Sequence, residues 1–97
     1  MHWAAGGGHL GIVQLLLERG APLEEINTWG GTVLEGAGWG FEHNAPGVDF
    51  APVFETLLAA GARIRGSWLE WIEKVKSRSE DERARVTEIF RRYGAAI

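Results

Sequence analysis

The chain has 97 residues, the size of one small domain. Its hydrophobic content of 45% and charged content of 24% are those of an ordinary globular protein, and they exclude a disordered or fibrous chain. The net charge of -3 gives no reason to expect nucleic acid or an anionic membrane as partner, and the absence of cysteine excludes disulfides and thiolate zinc sites.

The first quarter of the chain is predicted to form two helices. Leu10, Val13, Leu16 and Leu17 recur at spacings of three and four residues, which is the pattern of an amphipathic helix. Gly20 follows the last turn, where a left-handed C-cap is favoured. The glycines at 6–8 end the helix before it and turn into this one. They are therefore not a phosphate-binding loop, which needs a preceding strand and glycines that open a helix.

A third helix is predicted after Thr32, which precedes an apolar run as an N-cap should. Glycines interrupt the segment 34–40 at three positions, and each costs about 1 kcal/mol relative to alanine in a helix interior. We therefore expect this helix to be short or irregular unless packing rescues it. The segment 41–50 follows, and turn-forming residues at 44–47 predict a loop within it.

Two further helices are predicted in the last third of the chain. Ser67 followed by Glu70, and Ser79 followed by Glu82, are the spacing of a capping box. The arginines here are interleaved with carboxylates, so a solvated helix face is favoured over a nucleic-acid site. The charged residues that we expect to solvate this end as a C-terminal cap are Lys74, Lys76, Arg78, Glu80, Asp81, Glu82, Arg83 and Arg85.

The chain also contains an internal repeat. Val53 and Val86 are 33 residues apart, as are Gly61 and Gly94. Gly20 precedes Gly61 by 41 residues, which is the same period plus an insertion of eight. A fixed period of this length indicates a repeat architecture, in which each unit buries its apolar face against its neighbours.

The period and the residues together resemble the ankyrin-repeat family, whose unit is a β-turn followed by two antiparallel helices. The similarity is specific over residues 1–37, weakens over 38–64, and in the last third retains only the second helix. The residues that match the family pattern are His2, Ala4, Ala5, Gly8, His9, Gly20, Ala21, Asn27, Gly30, Thr32 and Leu34.

The resemblance implies an all-α ankyrin-repeat solenoid of stacked antiparallel helix pairs, with one β-turn finger around residues 25–33. It divides the single domain, 1–97, into a first repeat lacking its finger (1–24), a second repeat with an insertion near 41–49 (25–64), and a C-terminal capping repeat (65–97). It also implies structural hydrogen bonds for His2 at the base of the finger and for His9 in the turn between helices.

Members of this family usually bind partner proteins on the concave face formed by finger tips and first helices. The resemblance therefore implies a protein-binding module that is not an enzyme and needs no cofactor or metal. By position, the partner-binding residues are Trp29, Thr28, Gly31, Trp39, Gly40 and Trp3. Such tryptophans act as anchors at interfaces.

For each tryptophan a structural role is the alternative to partner contact. Trp29 can serve either role, and Trp39 can instead pack beneath the insertion. Trp68 and Trp71, three residues apart, are expected to pack in the core against the second repeat.

A second hypothesis places a small-molecule or metal site at the tryptophan-rich insertion. Its polar groups would be Glu35, His43 and Asp49, although a solvated loop histidine is the simpler interpretation of His43. An enzyme is the class least expected, because neither a nucleophile–base pair nor a metal-ligand spacing is found in the sequence.

Self-association is a related expectation. Met1 occupies the position of the family's leucine, so the first repeat lacks its opening turn and a polar terminal face. Solenoids need about three repeats for stability. A homodimer that buries Trp3, Ile12 and Leu16 would remove an exposed apolar patch. No run of about 18 apolar residues and no basic leader segment is present, so a cytoplasmic location is the default expectation.

Overall fold

The computed structural model describes residues 2–26, 31–44, 47–64 and 66–94. These residues contain six α-helices and no strand, which confirms the all-α prediction. The helices are α1 (His2–Gly6), α2 (Leu10–Glu18), α3 (Val33–His43), α4 (Ala51–Ala59), α5 (Trp68–Lys74) and α6 (Glu80–Arg92). The tip of the predicted finger turn, at 27–30, lies outside the described residues.

The helices form three successive pairs, α1 with α2, α3 with α4, and α5 with α6. In the layer of first helices, α1 packs along α3, and α5 reaches α3 through the side chains of Trp68 and Trp71. In the layer of second helices, α2 packs on α4 and α4 packs on α6. This arrangement agrees with an ankyrin-type helical repeat.

The predicted helix ends are found at several positions. Gly20, Gly61 and Gly94 follow α2, α4 and α6 with φ of 79°, 104° and 100°, the left-handed conformation that favours glycine. Thr32 caps α3 through a complete capping box with Glu35. The Glu35 backbone N–H donates to Thr32 Oγ1 at 3.3 Å, and the Thr32 N–H donates to Glu35 Oε1 at 2.8 Å.

The two serine caps differ from each other. Ser79 Oγ accepts from the Glu82 backbone N–H at 3.2 Å at the start of α6, whereas the Glu82 carboxylate lies 3.1 Å from Arg78. Ser67 precedes α5 but makes no capping hydrogen bond with its side chain. The capping box predicted at Ser67 is therefore wrong, although the helix does begin at the next residue.

The third helix is the case in which packing rescues the glycines, because α3 is continuous over 11 residues. Its glycines allow close packing on both sides. A Cβ at Gly40 would overlap the Gly6 carbonyl oxygen of α1, and one at Gly38 would lie 2.8 Å from the Trp68 ring. Burial against α1 and α5 thus offsets the poor helix propensity. The helix also runs into the predicted insertion, so the loop begins only at Asn44.

Aromatic side chains dominate the core of the second and third pairs. Phe54 of α4 is fully buried and makes edge-on contacts with Phe41, Trp68 and Phe90, at centroid distances of 5.7, 6.1 and 5.3 Å. Trp68 is 8% exposed, and the half-buried Trp71 packs on Phe41. Both tryptophans contact phenylalanines of the second helix pair, as predicted, although only Trp68 is fully in the core.

Arg78, which we expected to be solvated, is buried, with only 3% of its surface exposed. Its guanidinium donates to the main-chain carbonyls of Phe41 (2.7 Å), Val48 (2.7 Å) and Asn44 (3.3 Å), and it pairs with Glu82 at 3.1 Å. The guanidinium also lies 5.2 Å from the centroid of the Phe41 ring. Arg78 therefore holds the end of α3 and the segment after it against the third helix pair.

Candidate functional site

A groove of about 870 Å³ runs between α1 and α3 on the layer of first helices, and we name it the α1–α3 groove. Tryptophan rings and glycine backbone make up most of its lining, with three polar side chains and Gly31 beside them. The lining residues are Trp3, Trp39, Gly6, Gly7, Gly36, Gly31, His2, Glu35 and Asn44.

Glycines keep this groove open. Gly6 and Gly36 lie at the close approach of α1 and α3, where a Cβ on Gly6 would be 3.4 Å from the Gly36 carbonyl oxygen. No side chain from these positions fills the space between the two tryptophans. Main-chain atoms and two large apolar rings are therefore presented together on this surface.

Trp3 and Trp39 are both exposed, and each ring contacts a histidine ring. Trp3 is 71% exposed and stacks on His9, with ring centroids 4.8 Å apart and an interplanar angle of 22°. Trp39 is 63% exposed and meets His43 at the same centroid distance in a tilted arrangement. The alternative that Trp39 packs beneath the insertion is therefore wrong. The side chain of His9 makes no capping hydrogen bond at the start of α2; it stacks on Trp3 instead.

Polar contacts fix the rim of the groove. His2 Nε2 lies 2.8 Å from the Glu25 carbonyl oxygen and 3.1 Å from that of Gly31, so the structural role predicted for His2 is confirmed. Asn44 donates through Nδ2 to the Gly6 carbonyl at 2.7 Å. That bond joins the end of α3 to the end of α1.

The other predicted partner-binding residues have different outcomes. Gly40 is buried against Gly6, so its prediction as an exposed contact residue is wrong: the close approach of α1 covers it. Gly31 lines the α1–α3 groove. Thr28 and Trp29 lie outside the described residues.

A second cavity of about 300 Å³ lies between α3 and α5, and we name it the α3–α5 cavity. Trp39, Trp68 and Trp71 line it together with Glu35 and Glu42, beside Gly38 and Ser67. Trp71 donates through Nε1 to Glu42 Oε1 at 3.3 Å. The sequence signal that was missed is the seven-residue spacing of Glu35 and Glu42, which places both carboxylates on one face of α3.

The groups proposed for a metal or small-molecule site have separate roles. Glu35 accepts from the Thr32 N–H, and His43 contacts Trp39. Asp49 accepts from the Ala51 N–H at 3.2 Å and lies 3.7 Å from Arg85. The residues that the structure describes contain no group of three acidic or histidine side chains arranged to hold a metal ion. The small-molecule version of this hypothesis stays a prediction.

The predicted dimer face is partly exposed. Ile12 is 40% exposed, and its neighbour Leu15 on α2 is 46% exposed. Leu16 is half-buried against the core, and Trp3 lines the α1–α3 groove. An apolar patch on α2 is therefore present, with Leu15 more exposed than the predicted Leu16.

Stacked helix pairs with an open groove along their first helices define a helical-repeat protein. The ankyrin repeat family model matches residues 1–28, which confirms the resemblance over that segment. A search of curated proteins and a search of solved structures gave no match. Ankyrin repeats are non-enzymatic modules that generally mediate protein–protein interaction. In the described part of the chain, no helix is long and apolar enough to cross a membrane.

Proposed function

We propose that this protein binds one partner protein, and that a segment of the partner lies in the α1–α3 groove between Trp3 and Trp39. The observation that carries the proposal is the exposure of these two rings, 71% and 63%, on either side of glycine backbone. A monomer gains nothing by leaving such rings in water, whereas buried tryptophans supply much of the binding energy at interfaces.

Three features support this use of the groove. The contact of each ring with a histidine, stacked for Trp3 and tilted for Trp39, limits the rotamer freedom that binding would otherwise remove. The groove volume of about 870 Å³ suits several side chains of a peptide. The ankyrin match over residues 1–28 covers α1 and Trp3. Thr28 and Trp29 remain predicted contacts at the finger tip, and a cytoplasmic location remains a prediction.

Peptide display on the wild-type protein tests the proposal. We expect selection from a random library to recover peptides rich in aromatic or aliphatic residues. Trp3→Ala and Trp39→Ala should each weaken the binding of these peptides by about thirtyfold or more, because loss of a central anchor costs roughly 2 kcal/mol or above. Tyr93→Ala is the control, since Tyr93 is exposed at the end of α6 and does not line the groove. Recovered peptides that bind both tryptophan variants as tightly as the wild type would contradict the proposal.

We also propose a homodimer, and the observation that favours it is the apolar patch of Ile12 and Leu15 on α2. It uses the second helices, so it is compatible with a partner in the α1–α3 groove. The test is the association state, argued below.

A further inference from the structure

The α3–α5 cavity has walls of two different kinds. Trp68 and Trp71 form a corner, with centroids 5.3 Å apart and planes at 87°, and Trp39 provides a third, mostly exposed ring. Two carboxylates, Glu35 and Glu42, complete the lining. Indole rings and carboxylates both attract cations, the first through the negative face of the ring and the second through formal charge.

Glu42 is held in place by Trp71, which lines the same cavity. Its carboxylate accepts from Trp71 Nε1 at 3.3 Å, and this neutral donor leaves the negative charge of the carboxylate intact. Among the described residues, none of those lining the cavity is a lysine, arginine or histidine. The nearest lysine on α5, Lys74, is paired with Glu70 at 3.1 Å. The Glu42 carboxylate therefore offers the cavity a negative charge that is complementary to a cation.

The size of the cavity selects among cations. A volume of about 300 Å³ is at the lower limit of ligand pockets, so it suits one side-chain head better than a metabolite. A bare metal ion needs several oxygen ligands, and the largely aromatic lining of the cavity does not supply them. A lysine ammonium is compact and is carried on a flexible four-carbon stem, so it can reach between rings that project from two helices.

We propose that the α3–α5 cavity binds the ammonium head of a lysine side chain, unmodified or methylated, from the partner segment that lies in the α1–α3 groove. The inference rests on the proposed function. It is supported by continuity, because Trp39 and Glu35 line both the groove and the cavity. One segment can therefore place an apolar residue between Trp3 and Trp39 and the next lysine against Trp71 and Glu42. Methylation keeps the charge and lowers the cost of removing the ammonium from water, which aromatic walls favour.

The test uses short probes that reach the cavity alone: Nα-acetyl-lysine amide, its trimethylated form, and its uncharged norleucine analogue. The readout is the indole N–H resonance of Trp71 in the labelled protein, assigned by its loss in Trp71→Phe. We expect both charged probes to shift this resonance, with trimethyl-lysine binding about fivefold or more tightly than norleucine. Glu42→Gln keeps an oxygen that can accept from Trp71 but removes the charge. This variant should bind the charged probes about fivefold more weakly and should bind the norleucine probe with unchanged affinity.

Trp3→Ala, outside the cavity, is the matched control and should bind the three probes as the wild type does. Equal shifts from the charged and uncharged probes, or charged-probe binding that survives Glu42→Gln, would overturn the inference. Preference for an arginine probe over lysine would overturn the choice of cation.

The two proposals fail in different ways. If displayed peptides need Trp3 but no charged probe shifts Trp71, the proposed function stands and the lysine site falls. If the charged probes bind but no displayed peptide depends on Trp3 or Trp39, the proposed function falls. The assignment of the cation to a partner segment then falls with it.

Discussion

The single residue Arg78 connects the end of α3 and the segment after it to α6. Its guanidinium satisfies carbonyl groups at the end of α3 and in the loop after it, and it lies over two phenylalanine rings. Carbonyl acceptors do not neutralise the charge, and the 3.1 Å pair with Glu82 offsets part of the cost of burying it. A charged sequence pattern gave no hint of this role.

Arg78→Ala should destabilise the protein by about 3–5 kcal/mol, because it leaves buried carbonyls without a donor and removes the partner of Glu82. This is a large share of the roughly 5–15 kcal/mol that folds a typical domain. Urea unfolding followed by circular dichroism measures it. Arg85→Ala is the control, since the Arg85 side chain is 59% exposed and 3.7 Å from Asp49, and it should cost about 0–1 kcal/mol. Equal losses from the two variants would contradict the structural role of Arg78.

Two glycine-to-alanine changes should have opposite signs. Gly40→Ala should lower the melting temperature, since its Cβ would overlap the Gly6 carbonyl and force α1 and α3 apart. Gly11→Ala, in α2, should be neutral or stabilising by up to about 1 kcal/mol, because nothing lies within 4 Å of the new Cβ. Thermal unfolding of both variants measures the difference. A stabilised Gly40→Ala protein would show that the close approach is not required.

At the scale of elements, the local rules predicted most helix ends and failed where tertiary contacts decide. The capping residue Thr32 and the C-cap glycines were readable because their role depends on neighbours in sequence. The length of α3 could not be predicted from the sequence. The low helix propensity of its glycines is offset by contacts with Gly6 and Trp68, which are far away in the chain. The same limit hid Arg78, whose acceptors lie 30 to 37 residues earlier.

Thr32→Ala and Ser67→Ala form a matched pair at the starts of α3 and α5. Thr32→Ala should cost about 1 kcal/mol, because both bonds of the capping box with Glu35 depend on the geometry at this position. Ser67→Ala should change stability by a few tenths of a kcal/mol at most, because the Ser67 side chain makes no capping bond. Denaturant unfolding of the two variants and the wild type measures these changes in the free energy of unfolding. A cost at Ser67 equal to that at Thr32 would mean that Ser67 does cap α5 in solution.

For the molecule as a whole, the stacking of helix pairs was predictable from the sequence, whereas the α3–α5 cavity was not. The ankyrin resemblance implied helix pairs, and hence which tryptophans belong to first helices. Trp3 and Trp39 were placed correctly on α1 and α3, although Gly40 was wrongly assigned to the same exposed surface. The α3–α5 cavity could not be predicted, because it needs Glu42 and Trp71 to meet across 29 residues of chain.

The association state tests the apolar patch on α2, and we expect the wild type to sediment as a dimer at high micromolar concentration. Ile12 and Leu15 are 40% and 46% exposed on a helix that packs on its other side against α4. A second copy would remove both side chains from water, with a gain of roughly 25 cal/mol for each Å² of apolar surface buried. Ile12→Glu should shift the protein to monomer, because a carboxylate in that contact would be desolvated without a partner. Trp39→Ala should remain dimeric, since the first helices face away from this contact in the proposed arrangement. A wild type that sediments as a monomer at this concentration would leave the α2 patch outside any dimer, and the single chain would then be the unit that binds its partner.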